Sequence, residues 1–109
     1  MDWNTEDNLS AAETVIMKAI WDEVEDISIP DLIEKLRTKW GKDYARTTVT
    51  TFLTKMTAKG YIRTYRKGKL SYAHAIKSEE DYKDKLLNDM IKFWYDGNIA
   101  ALQEKLDLK

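Results

Sequence analysis

The chain has 109 residues, a formal net charge of −1, 43% hydrophobic residues and 34% charged residues. It is too apolar for a disordered tail and too charged for a membrane protein. Because it has no cysteine, disulfides, thiolate metal sites and cysteine catalysis are excluded. The acidic, polar start from Asp2 to Asp7 is unlike a signal peptide, and a cytoplasmic protein is therefore expected.

Two helices are predicted in the first forty residues. Ser10 and Glu13 have the spacing of a capping box, and the first helix is predicted to run from there to about Glu23. Ser28 can cap the second helix, and Trp40-Gly41 marks its end. Both helices carry apolar residues at helical spacing, so each has one side suited to a shared core.

A third helix is predicted from about Arg46 to Lys59, with Gly60 at its carboxyl end. Its apolar residues recur at i, i+3, i+4 and i+7 and so form one stripe, made of Val49, Phe52, Leu53 and Met56. The opposite face is rich in threonine, a poor helix former. We predict that this face and its flanking cations contact DNA, through Arg46, Thr47, Thr50, Thr51, Thr54 and Lys55.

Threonine suits DNA because its hydroxyl can bond a phosphate or a base edge and its methyl can contact the thymine methyl. A carboxylate would be repelled by phosphate, and this face carries none. A tolerated surface, or a face that binds another protein, is the alternative interpretation.

A β-hairpin is predicted next, from two runs of β-branched and aromatic residues, 61–66 and 70–76, around a Lys67-Gly68-Lys69 turn. Its basic tip predicts phosphate contacts through Arg66, Lys67 and Lys69. The tyrosines of the hairpin are expected to cover the core rather than stack on bases, and His74 is expected to be structural or exposed rather than a metal ligand.

Charge is distributed unevenly along the chain. Residues 1–36 hold 2 basic and 10 acidic side chains, residues 37–69 hold 10 basic and 1 acidic, and residues 70–109 hold 6 basic and 8 acidic. A basic block of this kind is typical of a protein that meets polyphosphate with one face. The alternative is a solvated surface neutralised by the neighbouring acidic segment.

Two further helices are predicted after the hairpin, one from the Ser78 start signal to about Tyr95 and a short last one after Asp96-Gly97-Asn98. The apolar residues of the longer helix span about 180°, wider than the ~100° that one core requires. This width favours a symmetric dimer, with an interface predicted at Leu86, Leu87, Met90, Ile91, Phe93, Trp94, Ile99, Leu102 and Leu106. An intramolecular core is the alternative, and the acidic polar face disfavours a membrane surface.

The order of three helices, a hairpin and two helices predicts a mainly α fold with a small β-hairpin. It is the order of a winged helix-turn-helix domain, here residues 1–77, followed by a helical dimerisation region, residues 78–109. No catalytic constellation, metal-ligand spacing or phosphate-binding loop is found in the sequence. The prediction is a DNA-binding regulator without a cofactor, and the rival is a winged-helix module that binds protein.

Three stretches resemble the bacterial penicillinase-repressor (BlaI/MecI/CopY) family of winged-helix regulators. Residues 9–13 with 16–21 are similar to its first helix, residues 47–56 with Lys59-Gly60 to its recognition helix, and residues 61–72 to its wing. The resemblance covers roughly residues 9–98. It implies a homodimer that binds a short palindromic operator and represses transcription. It also places DNA-contacting positions on Arg46, Thr47, Thr50 and Thr51.

This sequence departs from both inducible branches of that family. The copper-responsive branch has a cysteine-rich tail, and no cysteine occurs here. The β-lactam-responsive branch has a proteolytic cleavage site, and the corresponding stretch near Lys105-Leu106 does not match it. The resemblance therefore implies neither of these inducing signals.

Overall fold

The computed structural model describes residues 8–107, so the amino-terminal stretch that was compared with a signal peptide, residues 1–7, lies outside it. Within those residues the chain forms five helices and three strands. In chain order they are α1 (Ala11–Trp21), β1 (Ile27–Ser28), α2 (Ile29–Trp40), α3 (Arg46–Ala58), β2 (Ile62–Lys67), β3 (Leu70–Ala75), α4 (Glu79–Tyr95) and α5 (Ile99–Asp107). The predicted mainly α fold with a small β-hairpin is confirmed.

The capping box predicted for α1 is present. The Ser10 hydroxyl accepts from the Glu13 backbone N–H at 3.2 Å, and the Glu13 carboxylate accepts from the Ser10 N–H at 2.8 Å. The helix ends at Trp21 rather than near Glu23. It ends early because the Glu23 N–H bonds the Ile20 carbonyl at 3.2 Å, a tighter turn than an α-helix allows.

The helices α2 and α3 begin differently. Ser28 caps α2 as predicted, since its hydroxyl accepts from the Asp31 N–H at 3.2 Å. The residue before α3 is Ala45, which offers no side-chain cap. That helix ends at Ala58, one residue before the predicted end, and Gly60 follows with a φ of +83° that suits glycine.

The predicted hairpin is confirmed, and the described residues add a third strand to it. Strands β2 and β3 pair from Ile62 opposite Ala75 to Lys67 opposite Leu70, which leaves a two-residue turn. The third strand, β1, pairs with β3 through Ile27 opposite Ala73, so the sheet order is β1-β3-β2. Sequence analysis missed β1 because two residues are too short to show a pattern.

The described residues form two compact units, 8–78 and 79–107. In the first unit the three helices and the sheet bury one hydrophobic core, made of Ile16, Met17, Ala19, Ile20, Ile27, Ile29, Leu32, Leu36, Val49, Leu53, Met56, Tyr61, Ile62 and Ala73. Among the hairpin tyrosines, the core prediction is confirmed for Tyr61. Tyr65 and Tyr72 are half-buried and stack on each other, with ring centroids 5.6 Å apart.

The second unit consists of α4 and α5. They are joined at Asp96 and Gly97, which both have positive φ, and the Asn98 side chain then accepts from the Ala101 N–H at 3.2 Å at the start of α5. In residues 8–107, no helix is long and apolar enough to cross a membrane.

A buried ion pair links the start of α1 to the end of α3. Glu13 is 1% exposed, and its carboxylate lies 2.6 Å from the Lys59 ammonium, which also donates to the Asn8 carbonyl at 3.0 Å. Burial alone would raise the pKa of Glu13, but hydrogen bonds from Lys59 and Ser10 outweigh it and lower the pKa. Glu13 is therefore charged in the folded protein and depends on Lys59.

We predict that Lys59→Met lowers the free energy of unfolding by about 3 kcal/mol, because it leaves the buried Glu13 charge without its partner. Urea unfolding followed by tryptophan fluorescence measures this. The matched control is Lys55→Met, which removes an exposed lysine that makes no ion pair within residues 8–107 and should change stability by less than about 0.5 kcal/mol.

The unmodified protein and Lys59→Met can also be compared as a function of pH. A carboxyl with a lowered pKa stabilises the fold above its ordinary value, here 4.5, and loses that contribution as the pH falls. In Lys59→Met, the Lys59 hydrogen bond no longer offsets the burial that raises the pKa of Glu13, so protonation of Glu13 is expected to relieve the variant. The stability difference should be largest at neutral pH and shrink as the pH falls through 4.5. A difference that grows would contradict this assignment.

Candidate nucleic-acid interface

Helix α3 is fixed by one side and exposes the other. Val49, Leu53 and Met56 are buried in the core, and Phe52 is half-buried with its ring 5.9 Å from that of Tyr44. Because side chains about half a turn away point oppositely, this burial directs the threonine face outward. The six residues predicted to contact DNA on this helix are all exposed: Arg46, Thr47, Thr50, Thr51, Thr54 and Lys55.

The threonine hydroxyls on this face are in two different states. Thr51 donates to the Thr47 carbonyl at 2.9 Å, and Thr54 donates to the Thr50 carbonyl at 3.0 Å. Their hydroxyl protons are engaged, so each offers a partner an acceptor oxygen and a methyl group. Thr47 and Thr50 make no side-chain hydrogen bond within the described chain and can both donate and accept. Sequence reasoning treated all four alike.

The amino-terminal end of α3 favours negative charge. Ala45 provides no side-chain acceptor, and the first turn carries no acidic residue. The backbone N–H groups there keep the positive end of the helix dipole, beside the exposed Arg46. The amino-terminal end of the helix and its threonine face therefore both lack negative charge and both suit an anionic partner.

Three basic residues of the 37–69 block are neutralised by acidic residues. Lys39 lies 3.1 Å from Asp22, whose pKa is lowered chiefly by the hydrogen bond from Lys39. Arg37 pairs with a neighbouring glutamate on α2, and Lys59 pairs with Glu13. The other seven make no ion pair within residues 8–107: Lys42, Arg46, Lys55, Arg63, Arg66, Lys67 and Lys69. Ion pairing with acidic residues therefore neutralises only three of the ten basic residues in the 37–69 block.

We call the hairpin of β2 and β3 the wing. Its turn consists of Gly68 and Lys69, and Gly68 has a φ of +64°, as a glycine in a tight hairpin turn often has. Alternate residues of a strand point to opposite faces. Arg66 therefore shares a face with the buried Ile62, whereas Lys67 lies on the other face, and both cations are exposed.

A polar cluster at the base of the wing was not predicted. The Tyr65 hydroxyl donates to Asp26 at 2.6 Å, and the Nδ1 atom of His74 lies 2.8 Å from the other oxygen of the same carboxylate. The hydrogen bonds from Tyr65 and then His74 lower the pKa of Asp26, and the Asp26 bond raises the pKa of Tyr65. His74 is thus a structural residue, as expected. No local signal could reveal a cluster whose members lie 39 and 48 residues from Asp26.

The predicted dimer surface is mostly exposed on α4 and α5. Trp94 is 64% exposed and Phe93 is 45% exposed, and their rings meet edge to face with centroids 4.9 Å apart. Met90 and Leu102 are half-buried, while Ile91 is buried in the chain itself. The remaining predicted positions are exposed: Leu86, Leu87, Ile99 and Leu106.

No group of three or more histidine, aspartate or glutamate side chains that could hold a metal ion occurs among residues 8–107.

Comparisons with known proteins bear on the family and on the fold of the chain. The family model described as penicillinase repressor matches residues 9–106. A solved structure described as the solution structure of the DNA-binding domain of the repressor BlaI matches with a TM-score of 0.59 and 24% identity, covering 72% of this chain and 93% of that domain. At that identity the match shows the winged-helix fold alone. A search of curated protein sequences gives no significant match.

We predict that Thr50→Ala raises the free energy of unfolding by about 0.5 kcal/mol, because alanine is the better helix former and the exposed Thr50 side chain makes no hydrogen bond in the described chain. Urea unfolding measures the change. If Thr50→Ala instead lowers the free energy of unfolding by the same amount, Thr50 contributes to the stability of the fold, and its low helix propensity does not make it a destabilising residue there.

Proposed function

Because this chain belongs to the penicillinase repressor family of DNA-binding repressors, we propose that it binds a palindromic operator as a homodimer and represses transcription from it. The observation that carries this proposal is the exposed face of α3, which bears threonines, cations and no carboxylate. Such a face fits the major groove, where side chains read base edges between two rows of phosphates.

The threonines have separate roles in this proposal. Thr47 and Thr50, whose hydroxyls are unengaged, donate to phosphate oxygens or to base acceptors. Thr51 and Thr54, which already donate to the backbone, contact thymine methyl groups through their own methyls or accept from base amino groups. Where Thr51 or Thr54 makes the methyl contact, the operator is expected to carry an A·T pair.

The cations position the protein on the duplex. Arg46 and Lys55 flank the threonine face and contact phosphates beside the groove, and Arg66, Lys67 and Lys69 do so from the wing. None of the five makes an ion pair with a carboxylate in the described part of the chain. Binding need not first break an internal ion pair, and counterion release from the DNA makes it strongly salt-dependent.

In this proposal, a second copy of the chain is needed to bind the whole operator. Two copies related by a two-fold axis present two α3 helices to half-sites about one helical turn apart. The exposed apolar residues of α4 and α5 supply the contact between copies, with Phe93 and Trp94 as its aromatic anchors. Such a repressor acts on the bacterial chromosome, in the cytoplasm.

Selection of bound duplexes from a random-sequence pool, followed by footprinting, tests the proposal. The expected result is a palindrome whose half-site centres lie about 10 base pairs apart. Recovery of unrelated sequences with no common half-site would contradict sequence-specific recognition.

We predict that Thr51→Glu abolishes binding to the selected duplex, because its carboxylate is repelled by phosphate. Thr51→Gln is the matched control, because glutamine has the size of glutamate without its charge. This variant should retain at least part of the affinity for the duplex. For the unmodified protein, log K against log salt should have a slope near −5 to −9, as for about 6–10 phosphate contacts. A winged-helix module that binds protein would show little salt dependence and equal behaviour of the two variants toward DNA.

We also predict that Phe93→Ala and Trp94→Ala each weaken dimerisation by about 2 kcal/mol, because each removes an aromatic side chain from the interface. Sedimentation equilibrium at micromolar concentrations measures the dimer constant. Tyr95→Ala on the same helix is a control, since Tyr95 is outside the predicted interface. An unmodified protein that sediments as a monomer would contradict the homodimer, and an unchanged constant in both variants would exclude these two residues as anchors.

A further inference from the structure

The outer part of the wing has little support from the core. Buried residues occur only at its base, at Ile62 and Ala73, and the tip from Arg66 to Leu70 is exposed. A two-stranded ribbon is marginally stable in water by itself. The cations proposed to contact the DNA backbone lie at this tip. They can reach phosphates reproducibly only if a contact with the rest of the domain fixes the orientation of the tip.

Strand β1 supports only one side of the wing. It pairs with β3 at Ala73 and Tyr72, and β2 lies at the far edge of the sheet. Among the described residues, strand β2 pairs with no strand other than β3. Backbone pairing therefore ties β3 to the body of the domain but leaves β2 attached through β3.

The Tyr65 side chain crosses this gap. It extends from β2 over the Tyr72 ring of the central strand, which it stacks on at an interplanar angle of 15°, and its hydroxyl reaches Asp26, the residue before β1. His74, on β3, bonds the second oxygen of the same carboxylate. One carboxylate thus binds a side chain from each strand of the wing.

Within the described residues, no other side chain of β2 makes a hydrogen bond or an ion pair with Asp26, although the Arg63 charge attracts the same carboxylate over a longer distance. The other hydrogen bonds and ring contacts of side chains from Arg63 to Lys67 are made inside the wing, namely Arg63 over the Tyr65 ring and Arg66 to the Gly68 carbonyl. Of these side chains in the described chain, Tyr65 alone is bonded to a residue outside the wing.

We infer that Asp26 is a positioning residue for DNA binding: through Tyr65 and His74 it holds the wing at a fixed angle to α3, so that Arg66, Lys67 and Lys69 reach phosphates while α3 occupies the groove. Asp26 itself touches no DNA. This inference rests on the proposed function for its consequence, and on the Asp26–Tyr65–His74 geometry for the anchor itself.

Tyr65→Phe is the test variant, because it removes only the hydroxyl and keeps the stacked ring. Tyr72→Phe is the matched control, since it removes the hydroxyl of the stacked partner, which makes no hydrogen bond within the described chain. Urea unfolding first establishes that both variants are folded under the assay conditions.

Binding is measured by fluorescence anisotropy with the selected duplex, about 30 base pairs or three helical turns long, between about 50 and 200 mM salt. Tyr65→Phe should bind about five-fold more weakly, the order of change that one hydrogen bond supports. Its slope of log K against log salt should be shallower by about one for each phosphate that the wing no longer reaches. The ratio of affinities for the selected duplex and a duplex with a mutated half-site should stay unchanged, because α3 still reads the bases. Tyr72→Phe should match the unmodified protein in all three.

A double-mutant cycle on DNA affinity, with each variant first shown to be folded, tests whether Asp26 acts through Tyr65. If it does, Tyr65→Phe should cause little further loss of affinity in the Asp26→Ala background. Additive losses in the cycle, or equal behaviour of Tyr65→Phe and Tyr72→Phe, would overturn the inference.

Amide hydrogen exchange without DNA separates this inference from the proposed function. Residues 64–72 should exchange several-fold faster in Tyr65→Phe than in Tyr72→Phe, since the wing is then released from Asp26. If the unmodified protein fails to bind DNA but the exchange difference is present, the proposed function is wrong and the anchor is right. If exchange is equal in both variants, the anchor is wrong whatever the protein binds.

Discussion

The burial of one side of α3 is the constraint on which the remaining features depend. Val49, Leu53 and Met56 are buried in the core that α3 shares with α1, α2 and the sheet, and this leaves the helix one direction in which to present its polar residues. The Glu13–Lys59 ion pair fixes the end of the same helix against α1. A threonine face of low helix propensity is compatible with stability only because the opposite face contributes enough apolar burial to offset it.

The second feature is a charge distribution that the fold does not cancel. An acidic segment and a basic segment adjoin in the sequence, and a fold could have paired them throughout. Three cations are paired with acidic residues, at Arg37, Lys39 and Lys59, and those pairs lie where helices meet or along α2. Within the described residues, the cations of α3 and of the wing tip make no ion pair with a carboxylate, and Arg63 interacts with Asp26 only through longer-range electrostatics. The protein therefore combines a net charge near zero with a local positive field, which is the property that attracts polyphosphate.

The elements and the fold class were predictable because they depend on neighbours within a few residues. The capping box at Ser10, the glycine after Trp40, the apolar stripe of α3 and the alternation of the wing are all local patterns. Two ends of helices were misplaced by one or two residues, because a terminal turn can tighten without changing the periodicity. Strand β1 was missed because its pairing with β3 is the only reason that it is a strand. The exposure of apolar residues on α4 and α5 was predictable, because these helices carry more apolar residues than one core can bury. The burial of Ile91 within the chain was not predicted.

What the sequence alone determined, then, is the winged-helix order and the separation of charge, together with the residue types of the face that points away from the core. Only the tertiary structure decided which cations keep no carboxylate partner and which side of the wing each basic residue occupies. The same holds for the bond from Tyr65, and from His74, to Asp26. The physical reason is distance along the chain: Glu13 and Lys59 are 46 residues apart, and Asp26 and His74 are 48 apart. Contacts of that kind exist only after the core has brought the helices and the sheet together, so no local pattern encodes them.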